Sequence, residues 1–580
     1  MLSTVTQSTL IQSTTIQQWE EANALLANAC SRFVDLSTLL LTQYTAHDKY
    51  SGDLAARIDS SFDYFQTVLD RQLVFAQAAL AKTRNNLASC ILSLPRETLS
   101  QIFLDVVFDP KDERYPSTGT VHIEHRVALI YHRLYSLIGV CAAWKEVALN
   151  CRALWSVVSL ADPFSGKPRP ISTNLSLERA GEKGLCLVAP LAEISSRGLR
   201  PLGGQLSRFS IFNIWEYPNA NVSLPNFLEM LLEQAITPGT ISMLSLGCSN
   251  KYTHSPRSKE PSQFLNNRLG RFEVDFIQLI QSLSVLLLQA VALDWKATSF
   301  TSLVALQIAE ISLGFQPGID AFLLALSSAT ELRDLKIITI RGISEGRGVM
   351  PTKKLSLLKL ESLYFEDLPF NILEIFITTI APGSYHLTVN LFPNFFQSES
   401  ASDIFESPQV VVAIDDEICA LLGRVTIHKL MLLKGNWGLW ESTTGLRSLL
   451  KSLPTVKILV LDGFELDQDL LKALEKPSKS QVTRSPEFET LEFHCTTIKF
   501  PLEALRHGFK SLLASHRIKR LVLGRSYEDE SKELAGGEFD GLVEWLKAQI
   551  SHLSLYEDQT SGPEMYDKWQ LWDGWYPETH

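Results

Sequence analysis

The chain has 580 residues, of which 45% are hydrophobic and 20% charged. That balance belongs to a globular protein of several domains and excludes an intrinsically disordered chain. A formal net charge of −11 argues against a nucleic-acid partner, which would select a basic footprint.

Residues 1–13 are rich in Ser, Thr and Gln and are expected to fray. They lack the basic start and apolar block of a secretory signal, so a cytoplasmic and/or nuclear location is the expectation. From Thr15 to Tyr44, the residues Trp19, Ala22, Leu25, Leu26, Cys30 and Phe33 recur mostly at helical steps. A polar break follows at 46–53. A second helical stripe then runs through Ile58, Phe62, Phe65, Leu69, Leu73 and Ala76. Together they predict an N-terminal helical hairpin over 1–90. The spacing drifts from a strict heptad, which favours a hairpin packed on the chain itself over a coiled-coil dimerisation arm.

Residues 91–160 carry the most informative pattern. Pro95 suits the first turn of a helix and Glu97 its positive end. Leu99, Ile102, Phe103 and Val106 then form one stripe. Val127 to Leu149 is further helical material, with Leu134, Leu137, Ile138, Cys141 and Trp144 on one face, and Leu154–Trp155 closes the segment. The ordered series L-P-x-E-x-L-x-x-I-F, V-C-x-x-W and L-W resembles an F-box, the three-helix module that joins a substrate receptor to a cullin–RING ubiquitin ligase. The helical segment before it and the Leu-rich region after it resemble the layout of large fungal F-box families. The resemblance implies that Leu94, Pro95, Leu99, Ile102, Phe103, Val140 and Cys141 contact a Skp-type adaptor, with Trp144 and Trp155 in the core of the module. An insertion at Asp109–Thr120 departs from the pattern and bears on the adaptor surface.

Beyond the Pro/Gly/Ser loop Ala161–Pro170, strand-like clusters alternate with helical stretches. An apolar-x-x-apolar-x-apolar pattern recurs ten times, from Leu206/Phe209/Ile211 through Leu332/Leu335/Ile337 to Ile518/Leu521/Leu523. Most central leucines lie at or just above the leucine-rich-repeat spacing of roughly 20–29 residues. The Asn or Cys expected after each strand is mostly missing, and two longer gaps interrupt the series. The fold expected is therefore α plus α/β: an N-terminal helical hairpin, a three-helix F-box-like module, and an irregular leucine-rich-repeat solenoid over 171–555. A doubly wound α/β sheet is the main rival. Tyr566, Trp569, Trp572, Trp575 and Tyr576, in the tail 556–580, are expected to cover the solenoid's open end.

Other chemistry finds little support. Eight cysteines without a C-x-x-C pair read as reduced and mostly buried. No phosphate-binding glycine motif occurs. Gly342–Ile343–Ser344–Glu345–Gly346 matches G-x-S-x-G, but loop-like residues follow where a nucleophile elbow needs a helix. His122, His125 and His132 lack the partners of a metal site. Asp415–Asp416–Glu417 reads as a helix start, Lys476–Ser480 as an exposed loop, and the uncharged stretch Phe276–Leu293 as a buried helix–strand pair rather than a membrane span.

The function expected is a non-enzymatic substrate-recognition subunit of an SCF-type ligase, without cofactor or metal. It would bind a Skp-type adaptor through the F-box and an unidentified protein substrate through the repeats. The alternatives are a leucine-rich interaction scaffold without a ligase role and an α/β hydrolase or transferase with an unrecognised site.

Overall fold

The computed structural model describes residues 2–43, 51–88, 90–109, 123–160, 170–182, 184–191, 202, 204–217, 220–234, 238–248, 264–343, 354–392, 397–400, 409–435, 438–476, 485–498, 502–525 and 536–556. Outside these lie most of the insertion after Asp109, His122, Ser344, the Lys476 loop beyond that residue, and the aromatic tail. Two compact units divide the chain, Met1–Leu94 and Pro95–His580.

The first unit contains helix α1 (Leu2–Gln43), helix α2 (Ser51–Tyr64), a π-helical turn (Phe65–Leu69) and helix α3 (Asp70–Ala88). Both long helices form where the periodicity places them. Every described side chain of α1 is exposed, so this helix seals no core within its unit.

The second unit opens with α4 (Arg96–Phe108), α5 (Ile123–Val140) and α6 (Ala142–Asn150). The strands are β1 (Val157–Ser159), β2 (Leu185–Pro190), β3 (Phe209–Glu216), β4 (Met243–Cys248), β5 (Val285–Gln289) and β6 (Ala305–Ala309). There follow β7 (Ser312–Phe315), β8 (Asp334–Ile338), β9 (Arg341–Ile343), β10 (Ser362–Glu366), β11 (His386–Leu391), β12 (Gln397–Ser400) and β13 (Gln409–Val412). The last are β14 (Ile427–Leu433), β15 (Ile458–Asp462), β16 (Glu465–Leu466), β17 (Thr490–Ile498), β18 (Arg520–Arg525) and β19 (His552–Tyr556). Two short pairs, β7–β9 and β12–β13, stand apart, and all others join one sheet.

That sheet corrects the expected fold class. In place of an irregular leucine-rich-repeat solenoid there is an α/β body on a single 15-stranded parallel sheet, ordered β1-β2-β3-β4-β5-β6-β8-β10-β11-β14-β15-β17-β18-β19 with β16 beside β17. The apolar triplets misled because they report only a parallel strand with two residues facing a helical layer, which any parallel α/β sheet requires. The register aligns Leu244, Leu286, Leu306, Leu335, Leu363 and Leu387 as neighbours across the sheet. These leucines share one core with the connecting helices, such as α7 (Pro170–Arg179) through Leu177 and α8 (Leu224–Leu232) through Phe227 and Leu228.

At the β1 end the sheet is covered on both faces. Val158, Leu187 and Phe212 join the main core, while Val157, Cys186, Val188 and Ile211 pack against Val127 and Tyr131 of α5. The sequence of β2, Leu-Cys-Leu-Val-Ala-Pro, is accordingly buried at every position. In β8 and β10, by contrast, every other residue of the first three is only part-buried.

The turns after several strands share one backbone device. Ala290, Glu310, Thr339 and Asp367 follow their strands with φ between 49° and 57°, and Gly463 does so at 74°. Each turns its N–H onto the next strand: Ala290 onto the Ala309 carbonyl at 2.9 Å, Glu310 onto Ile338 at 3.0 Å and Thr339 onto Glu366 at 2.8 Å. Asp367 reaches Asn390 at 3.2 Å and Gly463 reaches His494 at 2.9 Å.

The stretch Phe276–Leu293 is the helix Glu273–Ser282 followed by β5, both part of the sheet body.

Candidate functional site

The helical module is closed by its aromatic residues. The Phe103 ring lies 5.0 Å from that of Trp144. Trp155 is buried and donates its indole N–H to the Ala148 carbonyl at 2.9 Å. The hydroxyl of Tyr131 on α5 donates to the Val157 carbonyl at 2.9 Å and lies 3.0 Å from Ser176 Oγ. Burial pushes its pKa up to about 12, so it stays a neutral pin between α5, β1 and α7. The side chain of Cys141 caps α6, accepting from the Trp144 N–H at 3.5 Å.

The residues implied as adaptor contacts divide by burial. Leu99 and Phe103 are buried within the module, on the side of α4 that packs against α5 and α6. Cys141 and Ile102 are part-buried, and Pro95 and Val140 are exposed. Leu94 is exposed at the end of the first unit. Pro95, Ile102 and Val106 are spaced to lie along one stripe of α4, and Val106 is 44% exposed. Arg96 at the start of α4 pairs with Glu146 of α6 at 2.8 Å, but both side chains are exposed and the pair stabilises little.

A second surface was not singled out from the sequence. It is the sheet face opposite the helices. Gln307, Lys336, Tyr364, Thr388 and Lys429 are successive neighbours across β6 to β14. Further along, Glu492 on β17 meets His494 Nε2 at 3.2 Å and Arg520 at 3.8 Å. Burial raises the pKa of Glu492, but the hydrogen bond from His494 and the charges of Lys429 and Arg520 outweigh it and hold it below its usual value. Gln307, Lys336, Tyr364, Thr388 and Glu492 each stand between two core apolar residues of their strand, whereas Lys429 and Arg520 stand one residue before theirs. Strand alternation could have found them.

Cys495, His494 and Asp462 lie close together and invite comparison with a thiol catalytic site. Burial and the neighbouring Asp462 carboxylate push the Cys495 thiol to about 12, so the nucleophilic thiolate does not form near neutrality. Burial also raises the Asp462 carboxyl, against the opposing effects of His494, Cys495 and the Gly463 N–H. The trio is a structural contact. Among the described residues no group of His, Cys, Asp and Glu could hold a metal.

Two cavities lie near the ends of β15 to β18. One, of about 600 Å³, is lined by His428, Lys457, Glu489 and Lys519. Glu489 sits 2.7 Å from Lys519 and 3.1 Å from Lys457, whose hydrogen bonds and charges lower its pKa to about 2. Its charges are spent on one another. The other, of about 300 Å³, is lined by Arg447, Lys451, Lys472 and His516. Arg447 donates to the Lys472 carbonyl at the end of the helix Gln468–Leu474, where a cation complements the helix dipole.

Of the remaining candidates, Gly342 lies in the middle of β9 against the core, a Cβ added there standing 2.9 Å from Ile372 Cδ1. Asp415, Asp416 and Glu417 form the first turn of the helix Asp415–Leu422, and Glu417 accepts the Ile414 N–H at 3.1 Å.

No protein-family model matches the sequence, and no curated protein matches it either.

Proposed function

We propose that the chain is the substrate-recognition subunit of an SCF-type cullin–RING ubiquitin ligase, acting in the cytoplasm and/or nucleus. α4 and the end of α5 dock a Skp-type adaptor. The polar face of the sheet receives a protein substrate. The chain supplies binding and proximity, and the bond-forming chemistry belongs to partner enzymes.

One observation carries the reading. The helix that bears the L-P-x-E series leaves Pro95 and Val106 exposed and Ile102 part-buried along one apolar stripe, although its module already buries Leu99, Phe103 and Trp155 in its core. An apolar stripe left over after the core is closed suits a partner.

Co-expression with a Skp-type adaptor tests it. The wild-type chain is expected to co-purify, and an Ile102→Asp/Val106→Asp variant to lose the adaptor while keeping its circular dichroism spectrum. A wild-type chain that fails to capture the adaptor defeats the proposal, as does a variant that binds undiminished.

A further inference from the structure

We propose that the cavity of about 300 Å³ beside the helix Gln468–Leu474 is a binding site for a small phosphate monoester with an apolar body.

The helix Thr443–Ser452 brings Arg447, Leu450 and Lys451 to this cavity, and the helix Gln468–Leu474 with the two residues after it brings Lys472, Leu474, Glu475 and Lys476. The chain entering β17 adds Ser485, Pro486 and Phe488. Burial divides the lining. Leu450, Leu474, Pro486 and Phe488 are buried and form an apolar floor, whereas Arg447, Lys451 and Lys472 are exposed and form a cationic rim. The volume stands at the small end of ligand pockets, which suits a single ring or short chain rather than a length of peptide.

Charge identifies the ligand's head group. The chain as a whole is acidic, with 64 Asp and Glu against 53 Lys and Arg. Here the balance inverts, and four cations face the single carboxylate of Glu475. Lys476 is paired with Glu487 at 3.5 Å. Among the described residues, Arg447, Lys451 and Lys472 make no ion pair. Set against Glu475, those three leave two positive charges in excess. A phosphate monoester, close to dianionic near neutrality, balances that excess, and a singly charged sulfate ester does not.

The hydrogen-bonding groups agree. The C-terminal end of a helix repels an anion, but here the Lys472 carbonyl already accepts from Arg447 and the Leu474 carbonyl from His516 Nε2 at 2.8 Å. Of the five guanidinium N–H donors of Arg447, that carbonyl occupies one. The Ser485 Oγ is buried and has no hydrogen-bond partner among the described residues, a penalty that a ligand oxygen would remove.

The test is isothermal titration calorimetry of the full chain with phenyl phosphate. Binding is expected, and it should weaken with added salt. Phenyl sulfate lacks the charge and inorganic phosphate lacks the ring, so each should bind about tenfold more weakly or worse. A Lys451→Gln/Lys472→Gln variant changes two exposed side chains; it should lose about tenfold or more in affinity for phenyl phosphate while its melting temperature stays unchanged. Glu475→Gln removes the opposing carboxylate and should tighten binding. Absence of binding at millimolar phenyl phosphate, equal affinity for phenyl sulfate or inorganic phosphate, indifference to K451Q/K472Q, or no tightening in E475Q overturns the proposal. A short phosphotyrosine peptide that binds more tightly than phenyl phosphate overturns the small-molecule assignment and moves the phosphate to a protein. Adaptor capture plays no part in these readings, so the site stands or falls independently of the ligase proposal.

Discussion

At the residue scale, the strand-end turns hold the clearest strain. Thr339 is β-branched yet sits at φ 51°, where an L side chain costs roughly 1–2 kcal/mol. Its N–H must point at the Glu366 carbonyl, and that requirement fixes the conformation. Thr339→Gly is therefore expected to raise stability by about 0.5–1 kcal/mol in urea unfolding, the gain reduced by glycine's greater chain entropy. An unchanged or lower midpoint would show that the left-handed turn stores no strain. Gly247 is the opposite case. A Cβ there would stand 2.1 Å from the Trp215 ring, so Gly247→Ala should cost about 1–3 kcal/mol and move the indole fluorescence. Neither position was legible in the sequence, because a positive φ at Thr or a ring lying over a glycine leaves no periodic trace.

His516 gives the pH dependence. Its Nδ1 accepts the Phe488 N–H at 3.3 Å, which leaves the proton on Nε2 to bond the Leu474 carbonyl at 2.8 Å. Burial, with Lys476 nearby, lowers its pKa, against the opposing effects of that carbonyl and Glu487. The folded pKa thus lies below the unfolded value of about 6.5. The histidine's contribution is complete above that value and is lost as pH falls through it, because the unfolded chain takes up the proton first. His516→Gln should be less stable than wild type at pH 7.5, and the gap should narrow by pH 5.5. An equal gap at both pH values would remove His516 as the cause.

At the element scale, the helical module shows what periodicity can and cannot assign. The stripe Leu99, Ile102, Phe103 and Val106 is read correctly as apolar, but the sequence cannot say which part of it faces inward. α4 packs on two helices, α5 and α6, and that contact claims Leu99 and Phe103. Phe103→Ala is accordingly expected to lower stability by about 3–5 kcal/mol rather than to act only at a docking surface. The check is chemical denaturation of the variant, and a loss under 1 kcal/mol would return Phe103 to the surface. The anchor at α7 was invisible for a different reason. Arg208 lies 27 residues beyond Gly181, yet its guanidinium donates to the carbonyls of Leu177, Ala180 and Gly181 at the end of that helix. No local pattern encodes so distant a cap.

At the scale of the whole sheet, the sequence revealed the strands but not how they are covered. The triplets mark one face, and the leucines of that face align across neighbouring strands. What the triplets omit is the second face. Only the β2 segment, apolar at every position, hints that one end of the sheet is enclosed on both sides. The two edge strands consequently differ. β1 is buried throughout, beneath the cluster that α5 forms with β2 and β3. Among the described residues β19 pairs with β18 alone, and its Leu555 is 41% exposed. Local opening should therefore be unequal along one continuous hydrogen-bonded sheet. In native-state hydrogen exchange, amides of β19 should exchange first and those of β1 and β2 last, with the interior strands β8 to β15 between them. Equal protection of β1 and β19 would mean that strand pairing, rather than the covering of both faces by α5 and the main core, sets the stability of the sheet.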